Sequence, residues 1–278
     1  MKEVRYYKAD DVQTKSEEIE ISSQEADALI QSVFPNESIQ SIIGRVEFSE
    51  NVHFSGKIRI IPNAAIRFDG FLLDDDNPSY VFDISLSSAN SQLFCARLER
   101  LPESKHKGWG RPIVNKLRAL TEELGLNKFI VHPGLADGGW YWARLGAVPI
   151  DTLECQSLCD DYLIPRINNY KEQIGAETYE HAVQLIQNLI EEPSLVGQIA
   201  ALKQEVTTDE GNQTLGRALL RNSKWMAVIP SSLDTAEQQP IIQPSQQSSL
   251  TPPEENHAAN MFPTFTYLWN ALQNNITR

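Results

Sequence analysis

Along the first hundred residues the hydrophobic positions change their period once, and that change predicts the order of the elements. Ala26, Leu29, Ile30 and Val33 recur at the three-and-four spacing of an amphipathic helix. Just before them, Ser22-Ser23-Gln24-Glu25 reads as a capping box, in which a serine and a glutamate three residues on satisfy each other's backbone donors. Pro35 and Asn36 stop the pattern, so the helix is predicted over 22–34. From 52 to 101 the texture becomes short runs rich in β-branched and aromatic residues: KIRII, AAIRFDGFLL, SYVFDISLS and SQLFCARLERL. Turn formers separate them at Pro62-Asn63, at 74–78 and at 87–90. Four sequential strands with short turns imply an antiparallel meander.

After Leu101 the helical period returns. Ile113, Val114, Leu117, Leu120 and Leu124 mark a helix that ends at Gly125, with Pro112 in the first turn, where a missing N–H has no consequence. The strand 128–132 follows, closed by Pro133-Gly134, and then a helix over 136–145 ending at Gly146. The order is ββββαβα, a mixed α/β (α+β) chain.

Residues 166–228 carry helical rather than strand character. Tyr179, Ala182, Val183, Ile186 and Ile190 share one helix face, and Leu195, Ile199 and Leu202 another. The expected organisation is a domain over 1–165, a helical appendage over 166–230 and a disordered Gln/Ser/Pro-rich linker over 231–260. An amphipathic segment over 261–278 regains Phe262, Phe265, Tyr267, Leu268, Trp269 and Leu272, enough to dock as a terminal helix or to bind a protein partner.

Composition narrows the function. Across 278 residues the net charge is −13, a field that repels phosphate backbones and anionic membranes, so DNA, RNA and membrane surfaces are not the expected partners. No run approaches the length of a bilayer span, and MKEVRYYKADDVQ lacks a hydrophobic signal core. Three cysteines, Cys95, Cys155 and Cys159, do not make a disulfide framework, and Cys155 and Cys159 lack the companions of a metal site. A cytoplasmic, reducing environment and no metal are expected.

The passage from Leu98 to Pro112 carries the chemistry. A strand runs through a glycine-bearing loop into a helix N-terminus, where unpaired N–H groups and the helix dipole favour an anion. Lys105, Lys107 and Arg111 reverse the local charge of an acidic chain, which favours a phosphorylated ligand. The spacing is neither that of a Walker loop nor that of a dinucleotide fingerprint.

Lys105-His106-Lys107-Gly108-Trp109-Gly110 instead resembles the acetyl-CoA loop, Q/R-x-x-G-x-G/A, of the GNAT superfamily of N-acetyltransferases, with Lys in first place. The resemblance continues through Leu124–Val131 as helix end and fifth strand. Tyr141-Trp142-Ala143-Arg144-Leu145-Gly146-Ala147 then looks like the family's FYEKLGF helix end, so the whole covers residues 98–149. It implies a GNAT-like mixed sheet, a meander followed by a βαβα unit, with acetyl-CoA as acyl donor. Leu101, Lys105, Lys107, Gly108, Trp109, Gly110 and Arg111 would hold the CoA thioester, and strand 93–101 would splay from strand 128–132 to admit pantetheine. An amine, cationic in view of the acidic chain, would attack the thioester directly, with no metal involved.

Departures from the family pattern lie at the chemistry. The tyrosine that protonates the leaving thiolate falls at Trp142, with Tyr141 as its neighbour on another helix face. Arg100 stands where the fourth strand often has valine, and Leu135-Ala136-Asp137 replaces the usual Asn before the last helix. Glu99 leads the candidate bases, ahead of Glu103 and Asp83, while His106 and His132 read as loop and strand-end residues. The adjacent glycines Gly138-Gly139 point to a close backbone approach, with a ligand as one candidate. Two other readings stay open: a GNAT-like scaffold without transfer activity that serves as a protein-binding or effector module, and a site for a different phosphorylated metabolite.

Overall fold

A computed structural model describes residues 4–9, 18–47, 51–104 and 109–230. The elements expected for segments 231–260 and 261–278 lie outside these residues. The chain opens with strands β1 (Val4–Lys8) and β2 (Ile19–Ile21) and helices α1 (Ser23–Val33) and α2 (Ile39–Val46). The meander follows as β3 (Val52–Ile61), β4 (Ala65–Asp74), β5 (Asn77–Ser87) and β6 (Gln92–Arg100). Then come α3 (Gly110–Glu123), β7 (Lys128–Val131), α4 (Gly138–Arg144) and β8 (Val148–Pro149).

The capping box at α1 is present: the Glu25 N–H donates to the Ser22 hydroxyl at 3.2 Å, and the Ser22 N–H donates to the Glu25 carboxylate at 2.9 Å. Helix α2 was not among the expected elements, although Ile39, Ile42, Ile43 and Val46 keep helical spacing and Ser38 caps it through the Ser41 N–H at 3.1 Å. Its brevity hides it between two turns.

Strict alternation makes the meander one-sided. Phe54, Ile58 and Ile60 on β3, Ile66, Phe68 and Leu72 on β4, and Phe82, Ile84 and Leu86 on β5 are fully buried. Phe54 meets Phe68 and Phe82 edge-on, with ring centroids 5.4 and 6.1 Å apart. Helices α1 and α3 pack on the sheet, and α2 bridges them, so all three cover this face. The opposite face stays half exposed and carries Lys57, Arg59, Arg67, Asp69, Asp83, Arg97 and Glu99.

The remaining elements are α5 (Thr152–Ser157), a π-helical turn over Leu158–Leu163, α6 (Ile164–Ile174), α7 (Ala176–Asn188), α8 (Leu195–Ala200), β9 (Glu205–Thr208), β10 (Gly211–Thr214), α9 (Leu215–Leu220) and β11 (Ala227–Ile229). Here the expectation of a purely helical 166–230 needs correction. β9 and β10 form a hairpin, and β11 enters the main sheet, whose order is β2-β1-β3-β4-β5-β6-β7-β11-β8. A three-residue strand has no periodicity to read. All described residues belong to one compact unit, and one hydrophobic cluster runs from Ala26 to Ile229 without a break at 165. Among the described residues no helix is long and apolar enough to cross a membrane.

Candidate functional site

Two register events on β6 create an opening in the sheet. Against β5, Cys95 pairs with Ile84 and Arg97 with Asp83, so Ala96 is an extra residue, a β-bulge. Against β7 the pairing is parallel and runs from Gln92↔Lys128 to Cys95↔Val131, where it ends. Ala96 therefore has no Cα partner on either side. Beyond it the two parallel strands separate at their carboxyl ends, the place where open α/β sheets take ligands.

A slot of about 100 Å³ lies there, lined by Cys95, Ala96, Arg97 and Leu98 from β6, by His132, Gly134 and Leu135 from the segment after β7, and by Trp142 from α4. Whole drug-sized ligands need roughly 300 Å³ or more, so this volume suits only the short end of a ligand. Trp142 and Leu98 are buried and make the wall apolar. Burial pushes the Cys95 thiol far above its ordinary value, assisted by Asp83, so it is held protonated and is no nucleophile. Burial also lowers His132, and Lys224 adds to the effect, so the imidazole is held neutral.

A second cluster sits at the start of α3. Trp109 holds the N-cap position without a side-chain capping bond, and Gly110 is the first helical residue. The Gly110 N–H faces the Tyr80 hydroxyl, and Pro112 has no N–H, so Arg111 is the next first-turn donor. Tyr80 is raised above its usual value by burial, against the pull of Arg100 and of the Gly110 bond. Burial pushes Tyr141 up to about 12, with Tyr80 adding to the shift and the Arg111 charge opposing it. Both hydroxyls stay protonated at neutral pH.

The structure redistributes the residues expected from sequence. Trp142 does reach the slot. Tyr141 does not line it: a Cβ built on Gly110 would stand 1.3 Å from the Tyr141 hydroxyl oxygen, so that side chain packs against the start of α3. Glu99, expected beside the acyl group, is corrected too. The bulge puts Leu98 on the slot side and Glu99 on the opposite face, where its carboxylate accepts from Nε (2.9 Å) and Nη2 of Arg97. Asp83 lies on that same face, held by Arg67 through bonds of 2.9 and 2.7 Å.

Leu101 follows β6, and its N–H donates to the Ser79 carbonyl at 2.9 Å. Lys105, His106, Lys107 and Gly108 lie outside the described residues, while Arg111 is exposed. The close approach at Gly139 belongs to the chain itself: a Cβ there would fall 2.1 Å from Ser223 Oγ and 2.4 Å from the Leu220 carbonyl. The residue that reading by motif undervalued is His132. Its signal is positional, a histidine directly after the carboxyl end of a parallel strand.

Among the described residues no group of three or more His, Cys, Asp or Glu side chains gathers to hold a metal ion. The three cysteines are free and buried. No family profile and no curated protein matches the sequence. Among solved structures, one similar to this chain is a Bacillus subtilis acetyltransferase in complex with CoA, at 14% identity and a TM-score of 0.21. The similarity covers 42% of this chain and 62% of the other, less than two thirds of its length.

Proposed function

We propose that this chain is an acyl-CoA-dependent N-acyltransferase of the GNAT type, moving an acetyl group from acetyl-CoA to an amine by direct attack. The observation that carries the reading is the separation of β6 from β7 at the Ala96 bulge, which opens an acyl-sized slot at the carboxyl ends of two parallel strands. When bound, acetyl-CoA supplies an activated thioester. The chain's part is positional. Ala96, outside the Cα register of both neighbours, lines the slot at the place where the strands part. Leu98 and Trp142 exclude water from the acyl end. The phosphates fall to the start of α3 and to the basic loop before it, Lys105 to Arg111, where Arg111 adds an exposed positive charge. No thiol intermediate is needed, since Cys95 is locked in its protonated form.

Calorimetry with CoA and acetyl-CoA tests this. Saturable binding is expected, and Arg111→Glu should weaken it by about tenfold while leaving the fold intact, because the side chain is exposed. Absence of heat with either nucleotide in the unaltered protein would sink the assignment.

A further inference from the structure

The slot contains one imidazole, and the geometry points to its use: we infer that His132 carries the proton of the transfer reaction, taking it from the attacking nitrogen and returning it to the departing sulfur. The inference rests on the acyl-transfer reading above and deepens it. As the C–N bond forms and the C–S bond breaks, the electron pair of the C–S bond leaves with sulfur. The proton lost by nitrogen ends on that sulfur, and the imidazole is neutral again. Nothing is oxidised or reduced.

Three observations lead to this residue. First, His132 lines the slot with Leu98 and Trp142, and none of the eight lining residues is a carboxylate. Of the acids around it, Asp137 is held by Arg217, and Asp83 and Glu99 are on the other face of the sheet, bound to Arg67 and Arg97. Second, a separate proton donor for sulfur is missing from the lining: Trp142 stands in the family's tyrosine place, and the Tyr141 hydroxyl is spent on packing against Gly110. A single group that both accepts and returns the proton removes the need for that donor. Third, burial and the positive charge of Lys224, from the segment after α9, keep the imidazole in the accepting form, while the Arg97 guanidinium is turned to Glu99 on the other face. Gly134 lets the ring lie close to its own loop: a Cβ there would be 3.3 Å from both Nδ1 and Cε1.

The test uses the full chain, acetyl-CoA, and spermidine or hydroxylamine as acceptor, with free thiol as the readout. His132→Gln should lower kcat by roughly 10²- to 10⁴-fold, as loss of a general base does, and leave the Kd for CoA within about twofold. In the unaltered protein kcat/KM should fall on the acid side as His132 protonates, and the limb should coincide with the titration of the His132 ring protons seen by NMR. Free imidazole should restore part of the rate to His132→Ala, which a purely structural role would not allow. If His132→Gln fails to fold, the coincidence of the acid limb with the ring titration decides instead. A His132→Gln rate within about threefold of the parent, or an acid limb that ignores the ring titration, overturns the inference. So does a protein that binds CoA yet releases thiol with neither acceptor. Absence of CoA binding overturns the parent reading instead, so the two failures are distinguishable.

Discussion

Past the bulge, the two sides of β6 are built on opposite principles. On one side lies a ladder of charges, Arg67 with Asp83, Arg97 with Glu99, and Arg59 with Asp69 and Glu18, all on the half-exposed face of the meander. On the other lies the slot, an apolar wall with one imidazole. The ladder holds most of the carboxylates that sequence inspection singles out, and each is occupied by a guanidinium in solvent-accessible surroundings. The slot holds fewer candidates, but burial perturbs each of them. Chemistry follows environment here, because a paired, solvated carboxylate is stabilised in its resting charge, whereas a desolvated imidazole is available to a proton.

The same contrast extends to packing. The helix that carries Trp142 into the slot is braced by contacts without slack at Gly139 in its first turn and at Tyr141, while the ladder is held by pairs that water and salt can replace. The sharpest way to break the comparison is therefore Gly139→Val. Its side chain would collide with Ser223 Oγ and the Leu220 carbonyl, and about 3 kcal/mol of stability should be lost in urea unfolding. A loss under about 0.5 kcal/mol would mean that the α4 wall is compliant after all.

Next in size is Gly110→Ala, which meets the Tyr141 hydroxyl. We expect a loss of about 1–3 kcal/mol, partly recovered when Tyr141→Leu is added, as a double-mutant cycle would show. Equal losses in both backgrounds would assign that glycine to something other than the tyrosine.

Acid should distinguish the sides as well. The folded value of His132 lies below its ordinary 6.5, so between the two values the unfolded chain binds more protons than the folded one. The contribution of the neutral imidazole is thus complete above about pH 6.5 and is lost as the pH falls toward the depressed folded value. His132→Gln should flatten the melting temperature against pH in that window. An unchanged slope would show that the ring is not held neutral.

The smallest effects belong to the ladder. Arg67→Met combined with Asp83→Asn should cost less than about 1 kcal/mol, shrinking further in salt, and Glu99→Gln should leave both stability and turnover close to the parent. A large loss of turnover in Glu99→Gln would move the chemistry to the charged face and reverse the comparison.

What could be read in advance was whatever rests on neighbours in sequence. The Ser22–Glu25 box, the alternation of the meander, the stop of α3 at Gly125 with φ at 65°, and the end of α4 near Gly146 with φ at 89° follow from capping, pleat and the freedom of glycine. The candidate site was legible only in outline. Glu99 stands on the face away from the slot because a single extra residue at Ala96 changes which face every later side chain occupies, and nothing in SQLFCARLERL announces it.

By itself, then, the sequence determined helix α1, the four strands of the meander, the order α3-β7-α4 after it and the mixed α/β class, since these follow from periods of a few residues. Tertiary structure decided the rest. It inserted β11 between β7 and β8, gave the close approach at Gly139 to Ser223 and Leu220, turned Tyr141 toward Gly110, and set His132 in the slot. The physical reason is register: which strand ends separate, and which side chains share the space between them, depends on pairings between residues tens of positions apart, and no local pattern encodes them.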